Sequence, residues 1–222
     1  MTRYGGRRDG VLFLFDVAMS VAFYYVLRAS GVGYEVALLV SSLVPGVSTV
    51  VEVRRGGRPN AMTVFVFTVV LVAAAISFAS DNVRVLLARD GVCTAVFGVW
   101  MLLSARGPRP MVSVFTRMIL DGRLGPGRPP WDELWERLPR FRRAWRVATV
   151  IWGVGLLLDS VVRIVMAVAL PVDVVPGLNA LQYAVFMVLM QVAANVYLVP
   201  TGVYNQWSPM YEPLREVRAE AA

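Results

Sequence analysis

Three aspartates of this 222-residue chain lie inside long apolar stretches, where a carboxyl group has unusual chemistry. They are Asp16 in VLFLFDVAMSV, Asp90 in VLLARDGVCTAVFGVWMLL and Asp159 in GLLLDSVVRIV. A carboxyl buried among apolar groups favours its neutral form, so it can hold a proton at neutral pH and donate it. The residue types therefore indicate general acid chemistry in a water-poor site.

Neighbouring arginines distinguish the three carboxyls. Asp159 and Arg163 are four residues apart, so on a helix they share one face and are predicted to pair. Arg89 and Asp90 are adjacent and point about 100° apart on a helix, so each needs a partner elsewhere. Asp16 has no charged neighbour in its own apolar stretch and is either protonated or paired across a bundle. Asp90 is therefore our first choice of acid, with Asp16 and Asp159 as alternatives.

The composition excludes several classes of site. The chain has no histidine, no lysine and one cysteine, Cys93, and all 22 basic residues are arginine. Imidazole bases, Schiff-base lysines and zinc or iron–sulfur ligand sets are therefore ruled out. We expect neither a metal nor a cofactor. The 57% hydrophobic and 17% charged composition is typical of an integral membrane protein.

Six apolar segments are long enough to cross a bilayer, which takes about 20 helical residues for about 30 Å of hydrocarbon. The chain lacks the strict alternation of a membrane β-barrel, so we predict an all-α bundle of six transmembrane helices in a single domain, 1–222. The predicted spans are 11–30, 34–53, 61–80, 83–104, 147–170 and 175–199.

Arginine placement predicts the orientation of these spans. Arginines concentrate in the N-terminal tail, the second–third connection, the connection 105–146 and the C-terminal tail, which all lie on one side of a six-span arrangement. Because arginine-rich loops stay in the cytoplasm, we expect both termini and the connection 105–146 to be cytoplasmic.

The stretch WDELWERLPRFRRAWR predicts a short amphipathic helix in that connection. Trp131, Leu134, Trp135 and Leu138 follow the spacing of one apolar helix face, and the helix should end before Pro139. With arginines around it, we interpret this helix as lying at the interface of a membrane that carries anionic lipid.

Polar groups from several spans are predicted to share one depth. At 1.5 Å per residue, Asp90 lies about 12 Å and Asp159 about 16 Å from the outer boundary. In this arrangement Arg89 would tune the acid, while Tyr24, Tyr25 and Gln182 would orient it. Trp100 and Trp152 would face a carbocation only in a deep chamber, and otherwise belong to the interfacial aromatic belt.

The stretches DVAMSVAFYYVLRASG, LLARDGVCTAVFGVWMLLS, RPMVSVFTR and ERLPRFRRAWRVATVIWGVGLLLDSVVRIVMAVALPVD resemble a group of small six-span bacterial membrane proteins. Their scaffold is similar to that of the small membrane-bound terpene cyclases of drimentine- and xiamycin-type pathways. The resemblance implies metal-independent, protonation-initiated cyclisation of a farnesyl-type chain, and a place in the bacterial cytoplasmic membrane. The implied partners are a lipophilic prenylated small molecule and membrane lipid, with no nucleic acid.

Two other functions fit the same residues. In a proton-coupled transporter or lipid-handling protein, the carboxylates would carry protons and the arginines would bind anionic head groups. In a structural protein of the envelope, the polar layer would serve helix packing alone. A terpene cyclase, an isomerase-type enzyme acting by general acid catalysis in natural product biosynthesis, predicts a closed apolar chamber around one carboxyl. A transporter predicts a water path.

Overall fold

The computed structural model describes residues 19, 22–33, 40 and 61–220, and the account of structure concerns these residues only. The described part is helical and contains no strand. Asp16, half of the predicted first span and nearly all of the second span lie outside it. The chain divides into two compact units, Met1–Cys93 and Thr94–Ala222.

Eight α-helical elements follow one another along the described chain. They are α1, described over 22–29, α2 (Ala61–Ala79), α3 (Val83–Arg106), α4 (Met111–Leu120), α5 (Trp131–Arg137), α6 (Pro139–Ala169), α7 (Val175–Thr201) and α8 (Glu212–Glu220). A short 3₁₀-helix, Pro209–Tyr211, precedes α8. The third to sixth predicted spans thus each coincide with a helix.

Three of these helices, α3, α6 and α7, are long and apolar enough to cross a membrane. Their outer surfaces carry many exposed valines and leucines, as expected of helices that face lipid. The chain is therefore a helical protein of membrane type. The arrangement of six spans and the cytoplasmic placement of the termini stay predictions.

Helix α6 is longer than the predicted fifth span, because it begins at Pro139 rather than near residue 147. Its 31 residues extend over about 46 Å, which exceeds the hydrocarbon thickness by several turns. Proline suits the first position of a helix because its missing N–H has no helical acceptor there. The arginine-rich start of α6 resembles a loop in composition, and this hid the helix boundary.

A compact aromatic core is built where α5, the start of α6 and the C-terminal segment meet. We call this set of buried side chains the tryptophan core; its largest members are Trp131, Leu134, Leu138, Phe141, Trp145, Tyr211 and Leu214. Trp131 packs edge-on against Phe141, with ring centroids 5.0 Å apart, and lies 5.4 Å from the ring of Trp145.

The amphipathic helix predicted from WDELWER exists as α5, and it ends before Pro139 as expected. Its apolar face, however, is occupied by protein: Trp131 is 3% and Leu134 1% exposed. Trp135 is partly buried and packs against the same core. An interfacial position for α5 therefore gains no support, because its apolar residues already have partners in α6 and the C-terminal segment.

Close packing of α6 depends on two glycines. A Cβ atom at Gly153 would lie 2.7 Å from Cδ2 of Leu102 in α3, and one at Gly155 would overlap the sulfur of Met190 in α7. Small residues let membrane helices approach closely, since burial from water cannot drive helices together inside lipid. These glycines therefore set the distance of α6 from both neighbours.

Because of a tyrosine in the tryptophan core, the free energy of unfolding should fall at high pH. Tyr211 is fully buried, its hydroxyl donates to the carbonyl oxygen of Val203 at 2.5 Å, and burial raises its pKa. Unfolded tyrosine ionises near pH 10, so the stability from this group is fully present below about pH 10. It falls as the pH rises above that value, until the raised pKa of the folded state is reached.

We expect Tyr211→Phe to lower the free energy of unfolding by about 1 kcal/mol at neutral pH, because Val203 loses its donor. The variant should also lose less stability than the unaltered protein as the pH is raised from neutrality to beyond the ordinary pKa of tyrosine. Thermal unfolding of the solubilised protein, followed by tryptophan fluorescence, measures both effects. Leu214→Ala is the control, since it weakens the same core without removing a titrating group. Parallel pH profiles for the Tyr211→Phe variant and the unaltered protein would refute the assignment.

Candidate functional site

A buried polar centre joins α6 to α7. Asp159 is 5% and Arg163 7% exposed, and Nε of Arg163 donates to Oδ2 of Asp159 at 2.6 Å. From α7, Nε2 of Gln182 donates to Oδ1 of Asp159 at 2.8 Å and lies 3.3 Å from its backbone oxygen. We call these three residues the Asp159 centre. The predicted pair of Asp159 and Arg163 is therefore present, and Gln182 adds a third residue to it from α7.

The surroundings of the Asp159 centre leave some polar atoms without partners. The guanidinium carbon of Arg163 lies 6.0 Å from the ring centroid of Tyr183, within range of a cation–π interaction. Among the described residues, the buried oxygens Oδ1 of Asn179 and Oε1 of Gln182 have no hydrogen-bond partner. Ser160 is buried beside Asp159 in sequence. Two buried acceptor oxygens of α7 thus have no donor within the described part of the chain, while the cation of Arg163 on α6 is bonded to Asp159.

The contacts of Asp159 are those of a carboxylate. Both of its oxygens accept hydrogen bonds, one from a guanidinium and one from an amide, and acceptance without donation is the pattern of an ionised acid. For Asp159 to act as the proton donor, this arrangement would have to open. The contacts favour a role in holding α6 and α7 together.

Asp90 lies in a different environment, in the unit Met1–Cys93. Its Oδ1 atom is 3.6 Å from Nε of Arg89, and its side chain is 57% exposed. Arg89 also donates from Nη1 to Oγ of Ser77 in α2 at 2.8 Å. The adjacent pair is therefore in ionic contact, and Arg89 links α3 to α2. Sequence reasoning missed Ser77, although a hydroxyl in an otherwise apolar run was a signal that could have found it.

The remaining predicted residues are distributed over both units. Tyr24 and Tyr25 contact each other edge-on, with ring centroids 5.3 Å apart, and Tyr25 is 66% exposed. Trp152 of α6 meets Phe186 of α7 edge-on at 6.4 Å, and Trp100 of α3 is partly buried. Asp16 lies outside the described residues. The convergence of Asp16, Asp90 and Asp159 on one chamber stays a prediction.

An open groove of about 550 Å³ lies along the last turns of α7, lined by Gln191, Val192, Asn195, Val196, Val199 and Pro200. Nδ2 of Asn195 donates to the backbone oxygen of Gln191, and the hydroxyl of Tyr204 lies 3.3 Å from Oδ1 of Asn195. Partial burial raises the pKa of Tyr204, so its hydroxyl stays a donor. No acid is among the residues that line this groove, so it does not supply the chamber that a cyclase requires.

Comparison with protein-family models, curated proteins and solved structures finds no match for this chain.

The Asp159 centre should behave as a buried ion pair. Asp159→Asn leaves the Arg163 cation buried without a counter-charge, so we expect the free energy of unfolding to fall by about 3–5 kcal/mol. Replacing both residues by leucine removes both charges from the interior and should cost much less. Unfolding of both variants and the unaltered protein in mixed micelles with increasing denaturing detergent measures the difference.

Asp90→Asn is the matched control for this experiment, because the same change of charge is made at an exposed carboxyl. We expect it to have little effect on unfolding. A double leucine variant as unstable as Asp159→Asn would show that the two side chains contribute by packing rather than by charge.

Proposed function

We propose that this protein is a multi-pass membrane protein that binds anionic lipid through an arginine-bearing helical module at the start of α6. The observation that carries the proposal is the separation of faces there. Arg140, Arg143 and Arg146 are exposed, whereas Phe141 and Trp145 in the same turns are buried in the tryptophan core. The apolar remainder of α6 follows directly along the same helix.

Two further arginines nearby, Arg117 of α4 and Arg142 of α6, are bound to other protein groups. Arg117 makes two hydrogen bonds to Asp132, at 2.9 and 2.7 Å, and its side chain is 17% exposed. Arg142 donates to the backbone oxygens of Trp135 and Glu136 at 3.0 and 3.2 Å. These two arginines serve the fold itself.

Exposed arginines next to a membrane helix have a specific physical use. A guanidinium group binds phosphate oxygens through two parallel hydrogen bonds, and each basic group near an anionic leaflet contributes about 1 kcal/mol to the attraction. Arg140, Arg143 and Arg146 stand on the first turns of α6, where a cytoplasmic leaflet would end. The proposal therefore includes the bacterial cytoplasmic membrane as location, with both termini in the cytoplasm.

Lipid binding is tested with the triple variant Arg140→Gln, Arg143→Gln and Arg146→Gln. Phosphatidylglycerol added to the solubilised protein should raise its melting temperature by several degrees more than phosphatidylcholine does, because a ligand that binds only the folded state stabilises it. The triple variant should lose most of this difference. Arg28→Gln combined with Arg84→Gln is the control for charge removal at another place; equal responses to both lipids in the unaltered protein would contradict the proposal.

A second candidate function is the membrane-bound terpene cyclase, and the contact between Arg89 and Asp90 supports it, because this arginine would tune the acid. The side chain of Asp90 is 57% exposed on an apolar helix, so a prenylated lipophilic molecule could reach it, and that molecule would itself have to exclude water from the acid. Asp90 would protonate the terminal double bond, the resulting tertiary cation would be attacked by the next double bond, and a base would remove the final proton. Arg89 would tune the acid, and Tyr24 and Tyr25 would orient it, whereas Gln182 bonds to Asp159 instead.

The cyclase is tested by supplying farnesylated indole or diketopiperazine to membranes that contain the protein. We expect a cyclised isomer of unchanged mass that Asp90→Asn abolishes, because the amide cannot deliver the proton. Glu136→Gln, at an exposed acid of α5, should keep the activity. Product formation by liquid chromatography with mass spectrometry decides the matter, and equal product from Asp90→Asn would exclude Asp90 as the acid.

A further inference from the structure

Helix α4 (Met111–Leu120) carries two exposed apolar side chains that have no explanation in the fold. Met118 is 57% and Ile119 65% exposed, and they are adjacent in the sequence. The first turn of α4 is engaged with protein: Met111 and Ser113 are buried, and Val112 packs against the tryptophan core. Protein therefore covers the start of α4, whereas two apolar side chains of its last turn are uncovered.

The start of α4 is fixed to the end of a membrane-type helix. Only four residues separate it from Arg106, the last residue of α3. The backbone N–H of Met111 donates to Oγ of Ser104 at 3.2 Å, and Ser104 in turn donates to the carbonyl oxygen of Met101 at 2.7 Å. Because Ser104 ends the predicted fourth span, α4 begins at the level where that span leaves the hydrocarbon.

The charges around α4 fit an anionic head-group layer. Arg106 ends α3, Arg109 precedes α4 and Arg123 follows it, and all three are exposed. Nη2 of Arg109 lies 3.4 Å from Oδ1 of Asp132. Arg117, within the helix, has its guanidinium held by Asp132. Apolar side chains bracketed by arginines are the pattern of a helix that lies in the plane of the interface.

We propose that α4 is the interfacial helix of this protein and inserts Met118 and Ile119 into the cytoplasmic leaflet of the bilayer. The helix predicted for that position, α5, has its apolar face buried in protein instead. This inference rests on the proposed function for the side of the membrane involved, and it adds a second contact with the same lipid surface. Insertion of Met118 and Ile119 uses apolar burial, whereas Arg140, Arg143 and Arg146 use charge.

The inference is tested by spin labels on the full chain in bilayer nanodiscs. Cys93→Ala removes the native thiol, and single cysteines are then introduced as Ile119→Cys, Met118→Cys and, as the control on α5, Glu136→Cys. We expect the labels at 119 and 118 to be several-fold more accessible to oxygen, relative to a water-soluble nickel complex, than the label at 136. Because both apolar positions are exposed, the labels should leave the fold intact.

Three outcomes would overturn the inference. One is a label at 119 that is as accessible to the nickel complex as the label at 136. Another is low accessibility to both reagents, which would place 119 against protein, and a third is dipolar broadening between labels at 119, which would place it against a second copy of the chain.

Nanodiscs of phosphatidylcholine alone separate this inference from lipid binding by the arginines. Labels that stay in the lipid there, in a protein that phosphatidylglycerol does not stabilise, would retain the interfacial helix and reject the proposed function. Stabilisation by phosphatidylglycerol, with labels at 118 and 119 exposed to water, would do the reverse.

Discussion

A charged side chain inside a bilayer is stable only where protein donors and acceptors replace the water it has lost, and the α6–α7 pair is organised around one such case. Asp159 obtains one donor from its own helix, in Arg163, and one from the next helix, in Gln182. The second contact fixes the register of α7 on α6. Gly155 then allows the close approach of Met190, since a Cβ atom at this position would overlap the methionine sulfur unless that side chain moved. The hydrogen bond from Gln182 to Asp159 thus aligns α7 with α6, and the glycine allows the two helices to pack closely.

The length of α6 connects this centre to the tryptophan core. Asp159 and Trp145 lie on the same unbroken helix of 31 residues, about 21 Å apart along its axis. The two environments differ. In the Asp159 centre, charged groups are bonded to one another inside an apolar stretch of α6. In the tryptophan core, aromatic rings pack together at the end of α6 that carries the arginines. In a bilayer, only one depth of α6 suits both ends. Shifting the helix along its axis would bring the Asp159 end towards water or draw the arginines into the hydrocarbon.

Local patterns in the sequence predicted the helices well because their signals lie within a few residues. Spacing alone predicted the Asp159–Arg163 pair, the end of α5 before Pro139, and the helices α3 and α7. Spacing alone cannot predict a contact that depends on a distant partner. The apolar face of α5 was correctly recognised, but its spacing could not reveal whether lipid or protein covers it. The answer lay with Tyr211 and Leu214, some 80 residues further along the chain.

The same reasoning explains why a carboxylate in an apolar helix is a weak indicator of catalysis by itself. Its chemistry depends on how many donors reach it, and donors on other helices are invisible to a depth estimate, which placed Gln182 near the level of Asp159 but could not predict a bond between them. Asp159 accepts a hydrogen bond at each oxygen, one from α6 and one from α7, and these bonds join the two helices. Asp90 has the guanidinium of Arg89 at 3.6 Å and most of its side chain uncovered. These two carboxyls look alike in the sequence, yet one is bonded across two helices and the other is exposed beside an arginine, and only contacts between helices separate them.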